Sequence, residues 1–115
     1  MKRKIIVVFL FIFVSLLIPF NAYAAEILQI RSSTLLQIGD RNRNYKVKLA
    51  CIAVSKSNED SAIRLLKSEV KRRKRVNLRP SGSSEGVLIA RVIPLGTDLD
   101  LSQKLSDAGL GKLTC

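Results

Sequence analysis

The sequence predicts a mainly β domain, a closed five-stranded barrel with one helix after its third strand and a short helix after its fifth. Three observations lead there. Apolar and polar residues alternate over several short stretches, the period of a half-buried strand. Clusters of Gly, Asn, Asp, Ser and Pro punctuate those stretches. Apolar residues recur at helical spacing in two places, after Ser57 and after Asp100.

Ile27, Leu28, Gln29, Ile30 and Arg31 form the first strand, rich in β-branched side chains. Ser32 and Ser33 mark a kink, and residues 34–38 resume as the second strand. Gly39, Asp40, Arg41, Asn42, Arg43 and Asn44 are turn formers and predict a hairpin loop. Residues 45–54 read as a longer third strand, with Tyr45, Val47, Leu49 and Cys51 on one face and Lys46, Lys48 and Ala50 on the other. A helix opens at Ser57, a capping residue, with Glu59 and Asp60 in the first turn, where the helix dipole favours acids. Ala62, Ile63, Leu66 and Val70 carry its apolar face. It fades into Lys71, Arg72, Arg73, Lys74 and Arg75, a run that suits a helix C-terminus and is also a candidate contact for an anionic ligand. Val76, Asn77 and Leu78 form a short fourth strand, residues 80–84 an exposed loop, and residues 86–95 the fifth strand. Asp98 or Asp100 caps the second helix, whose apolar face is Leu101, Leu105 and Ala108; Gly109 ends it. Five short strands with this placement of helices describe a barrel of the OB type.

The amino terminus bounds the setting. Lys2, Arg3 and Lys4 precede residues 5–18, which are apolar except for Ser15, and Ala22-Tyr23-Ala24 has the small-x-small form of a cleavage site. That order reads as a secretory signal peptide over residues 1–24, an uncleaved anchor being the alternative. Export to a periplasm, a lumen or the exterior is expected, which excludes nuclear import. Residues 25–115 then form one small domain. Without the three leader cations it carries 17 Lys and Arg against 9 Asp and Glu. Such basicity favours anionic partners: nucleic acid, another polyanion such as an acidic polysaccharide, or an anionic membrane surface. A monomer is expected. The chain has no His, which excludes His general bases, His-activated nucleophiles and His-ligated metals. Its two cysteines, Cys51 and Cys115, cannot alone close a tetrahedral zinc site. No metal and no cofactor are expected. An oxidising compartment would bridge the two thiols; a buried thiol plus a free tail thiol is the alternative at this point.

Certain stretches resemble the staphylococcal nuclease-like (thermonuclease) family, whose fold is an OB barrel with this element order. "VKLACIAV", residues 47–54, is similar to the family's V-R-L-x-G-I-D-A-P. "EGVLIARV", residues 85–92, is similar to its Y-G-R-x-L-A-x-V strand. "LSQKLSDAGLGKL", residues 101–113, echoes its closing helix and Gly-Leu-Ala-basic ending. The resemblance covers nearly all of residues 25–115, and the short exported cyanobacterial members look closest. It implies that the tail after Gly109 returns beside the end of the third strand, bringing Cys115 close to Cys51 and favouring a disulfide.

The same resemblance implies a calcium-dependent phosphodiesterase site, and there the chain departs from the pattern. Active members carry I-D-G-D-T between the opening strands; here residues 30–34 read "IRSST", with Arg31 and Ser33 at the acid positions. Counting from Asp40 instead leaves too few residues before Lys48 for the intervening hairpin, so Ser33 keeps the register. Lys48 replaces the family's first Arg, Ala53 its second-motif Asp, Ser55 its Pro, Lys56 its Glu and Val87 its second Arg. Calcium requires six to eight oxygen ligands, largely carboxylates, and these positions offer Ser33 and Ala53, with Lys56 nearby, and no carboxylate. Lys56 is a protonated donor where a water-orienting acceptor is needed. The resemblance therefore implies a degenerate, non-catalytic member. Arg31, Lys48, Lys56, Lys71, Arg72, Arg73, Lys74 and Arg75 are its polyanion-binding candidates. Two further readings are open at this stage: a residual metal-dependent nuclease with a rearranged site, and an envelope module that meets anionic lipid. Beyond Tyr45, residues 25–115 contain no aromatic side chain, so base stacking has little to work with.

Overall fold

The computed structural model describes residues 25–115, and the signal-peptide reading of residues 1–24 lies outside them. In chain order the strands are β1 (Ala25–Ile30), β2 (Leu35–Asp40), β3 (Arg43–Leu49), β4 (Ile52–Ala53), β5 (Arg75–Ser84), β6 (Val87–Pro94) and β7 (Lys112–Leu113). Helix α1 (Glu59–Glu69) lies between β4 and β5, and α2 (Leu101–Asp107) between β6 and β7. Five strands close into an OB-like barrel ordered β1-β2-β3-β6-β5, with β5 returning to β1. Its one parallel seam joins β3 to β6, pairing Val47 with Leu88 and Leu49 with Ala90. The fold class is the one the element order predicts.

Alternation sets the barrel's inside and outside. Val47 and Leu49 are buried, while Lys46 and Lys48, which alternate with them, are exposed. Leu36 and Ile38 of β2, Val76 of β5, and Ala90 and Val92 of β6 point into the same core. Helix α1 adds Ala62 and Leu66, Val70 follows just past its end on the same stripe, and α2 adds Leu101 and Leu105. Truncating a fully buried leucine such as Leu66 to Ala would cost about 3–5 kcal/mol. The two helices are also joined by Lys104 Nζ and Glu69 Oε2, 2.9 Å apart.

Several local expectations are corrected. The predicted loop over residues 39–44 is a two-residue turn, Arg41 and Asn42, because Asp40 pairs with Arg43 and Gly39 with Asn44. Arg41 takes the positive φ (59°) that so tight a turn requires. Residues 80–84 are not a loop: they continue β5, which pairs with β6 out to Ser84 opposite Val87 and absorbs one extra residue between Pro80 and Gly82. Ser57 does not cap α1; it lies in a 3-10 turn (Lys56–Asn58), and its hydroxyl meets that of Ser55. Asp100, not Asp98, caps α2, its Oδ1 accepting from the Gln103 N–H at 2.8 Å. Ala108 falls past the end of α2 and is exposed.

The predicted long third strand breaks after Leu49. Cys51 adopts φ 64°, a left-handed conformation that costs a non-Gly residue energy unless neighbours hold it. Three restraints do so. Ser102 Oγ donates to the Ala50 carbonyl at 2.7 Å in a buried contact. The Thr114 N–H donates to the Cys51 carbonyl at 2.9 Å. A disulfide joins Cys51 to Cys115, with Cα atoms 5.1 Å apart. The tail therefore returns as β7 and pairs with β4, Ile52 opposite Leu113. The bridge is compatible with an oxidising environment.

Candidate functional site

The turn between β1 and β2 carries Arg31 and Ser33, the positions at which the resemblance leads one to expect acids. Its backbone closes through the N–H groups of Arg31 and Ser32, both donating to the Leu35 carbonyl. Ser33 is buried, 3% exposed. Its N–H donates to Glu59 Oε1 at 3.0 Å, and its hydroxyl donates to Glu59 Oε2. The half-buried carboxylate at the start of α1 is thus committed at both oxygens. Hydrogen bonding from Ser33, first through its side chain and then through its backbone, holds the Glu59 carboxyl below its ordinary pKa. The first-turn position expected for Glu59 is correct, but the dipole is only part of its role: it staples the helix to the turn.

The same neighbourhood gathers some of the other expected positions. The Leu49 N–H donates to the Thr34 carbonyl, and Leu35 pairs with Lys48, so Lys48 lies on the barrel exterior beside the turn. Lys48 also pairs with Ile89 across the parallel seam, which puts Val87, two residues back along β6, on the same outer face. Arg31 Nε donates to Gln37 Oε1 at 3.1 Å on this face, and Gln37 in turn donates to Asn44. Lys56 is exposed in the 3-10 turn just ahead of Glu59. Ala53 stands in the β4–β7 ribbon and opens onto a shallow concavity of about 460 Å³ in which Lys112 is the charged lining residue. Among the described residues no group of three or more Cys, Asp or Glu is placed to hold a metal ion. Glu59 is the one carboxylate hydrogen-bonded at this turn, and a lone carboxylate falls well short of the six to eight oxygens that calcium takes.

The basic run lies elsewhere. Helix α1 has 11 residues, so its two ends are about 16 Å apart at the α-helical rise. Ser33 and Lys56 sit at its start; Lys71, Arg72, Arg73, Lys74 and Arg75 follow its end. The run does not act as one unit. Lys74 Nζ donates to the Leu95 carbonyl at 3.2 Å, and Arg75 begins β5. Arg73 takes φ 69°, donates its N–H to the Ile27 carbonyl, and places its guanidinium 3.8 Å from Glu26. Lys71 and Arg72 are exposed beside Lys67, over a concavity of about 390 Å³ floored by residues 27–30 of β1.

A second concavity, of about 450 Å³, lies against the other flank of β1. Arg41, Arg43 and Arg73 line it with Glu26, Leu28 and Gly39. Sequence reading named Arg73 but passed over Arg41, Arg43 and Lys67. Reading Asp40-Arg41-Asn42-Arg43 as a two-residue hairpin would have put both arginines at one end of one sheet edge. The chain matches no protein-family model and no curated protein.

Proposed function

We propose that this is a non-catalytic, exported OB-type domain of nuclease-like descent that binds polyanions, nucleic acid foremost, by charge. One observation carries the reading. At the position where the family's turn holds an acid for calcium, this chain has buried Ser33, and the nearby carboxylate, Glu59, is spent on it. Around that turn stand Arg31, Lys48 and Lys56, cations that repel a divalent metal and attract phosphate. The Cys51–Cys115 bridge supports export, because such bridges persist in oxidising compartments. The lack of aromatic stacking residues supports sequence-blind binding through the backbone.

The test is a fluorescence-anisotropy titration of the purified protein with single-stranded DNA at several salt concentrations. Binding that weakens linearly in log salt is expected; no binding at low salt overturns the proposal. Incubation with DNA plus calcium or magnesium is expected to leave the DNA intact, and cleavage above buffer controls would refute the non-catalytic half.

A further inference from the structure

The two concavities on either side of β1 share one lining residue, Leu28. Leu28 is the extra residue of β1, where pairing with β2 shifts register between Ile27 and Gln29. Such a bulge bends the strand and re-aims the side chain. Here it sets Leu28 over Gly39, where a Cβ would lie 3.0 Å from Leu28 Cδ1, so the glycine makes room for the saddle. One lobe is rimmed by Lys67, Lys71 and Arg72, the other by Arg41, Arg43 and Arg73. Against these six cations the two linings contain one acid, Glu26.

We propose that this two-lobed groove across β1 is the main binding surface, and that its ligand is the phosphate backbone of a single-stranded nucleic acid, laid over Leu28 with phosphates in both lobes. The inference rests on the polyanion-binding reading and moves its centre from the Ser33 turn to the other end of α1. Three features favour a strand over other anions. The cations line two concavities that share Leu28 at their border, an arrangement that suits a chain bent over that residue rather than a flat lipid surface. The exposed large apolar residues, Leu99 and Leu113, are not among its lining, and its apolar surface is confined to half-buried side chains such as Leu28, a poor anchor for a membrane. Three of its cations are arginines in one lobe, whose planar forks match phosphate oxygens in pairs.

The experiment uses three variants of the full chain in the same titration. The first is Arg41→Asn/Arg43→Gln/Arg73→Asn, with Asn at the two positive-φ positions because Asn tolerates that conformation. The second is Lys67→Gln/Lys71→Gln/Arg72→Gln. The third, Arg31→Gln/Lys48→Gln/Lys56→Gln, neutralises the turn end. Each groove variant is expected to lower the log-log salt slope by about 2, at roughly 0.7 per lost phosphate contact, and to weaken low-salt affinity about tenfold or more. The turn variant removes cations that also attract phosphate, and is expected to lower the slope and the affinity measurably less than either groove variant does. Thermal melts show that each variant is folded, and either lobe's variant suffices should the other unfold. If the unmodified protein binds no polyanion, the functional proposal fails and this one with it. If it binds but both groove variants match it, the groove assignment alone fails. Tighter binding to dextran sulfate or to phosphatidylserine vesicles than to single-stranded DNA overturns the ligand assignment.

Discussion

Replacing Glu59 by Ala removes a carboxylate that accepts from both donors of Ser33. Ser33 is 3% exposed, so water cannot readily take over those donors. Hydrogen bonds to a charged group contribute about 1.5–3 kcal/mol each, and Glu59 is itself only half-buried, so the pair together is worth about 3 kcal/mol. For a domain of this size that lowers Tm by roughly 15 °C. Asp60→Ala is the control: Asp60 is exposed in the same first turn and should cost under about 1 kcal/mol through the dipole alone. Urea and thermal unfolding followed by circular dichroism measure both. A double-mutant cycle with Ser33→Ala should give about 1–2 kcal/mol of coupling. The pH dependence adds a signature. Glu59 has a lowered native pKa, so its stabilisation is complete above the ordinary value of 4.5 and is lost as pH falls through the native value. The Ala variant should lose less stability over that acid range than the unmodified protein. Equal stabilities for the two, zero coupling and parallel acid limbs would refute the staple.

Three other outcomes follow. Because no cluster of three acids is placed to hold a metal among the described residues, adding millimolar calcium should leave Tm within about 1 °C, and a rise of several degrees would reveal a bound ion. Reducing Cys51–Cys115, or replacing both by Ser, opens a loop of sequence separation 64 and should cost about 4 kcal/mol by loop-closure entropy; urea midpoints with and without reductant measure it. Gly111→Ala would put a Cβ 2.8 Å from Ile52 Cδ1 and 3.3 Å from the Ala53 carbonyl, straining the β4–β7 ribbon by about 1–2 kcal/mol; faster amide exchange at Thr114 should accompany the loss.

Where one face of a segment is buried, the sequence spoke clearly. Tyr45, Val47 and Leu49 alternate because β3 has one face in the core, and Ala62, Leu66 and Val70 repeat because α1 does too. Where tertiary contacts decide, composition misled. Residues 80–84 are rich in Pro, Gly and Ser, yet pairing with β6 draws them into a strand. Cys51 fits an apolar alternation, but Ser102, Thr114 and Cys115 bend the chain there. The lack of acids in residues 30–34 was visible; that Glu59 would reach Ser33 from 26 residues away was not, since a first-turn acid already has a local explanation. The basic run was visible as charge, but its division among Glu26, the Leu95 carbonyl and two separate lobes depends on the left-handed turn at Arg73.

The parallel seam has a consequence in time. Val47 meets Leu88 and Ala25 meets Val76, so the two contacts that close the barrel join residues roughly 40–50 positions apart, which places folding toward the slow, millisecond-to-second end for small domains. Until β6 arrives, the β1-β2-β3 meander must wait with one edge of β3 unpaired, a template on which a second unfolded chain could add. Lys46 and Lys48 project from that strand throughout the wait. Like-charge repulsion between two such edges would discourage the wrong pairing. Lys46 and Lys48, exposed on the finished barrel, would thus already be useful before the barrel exists.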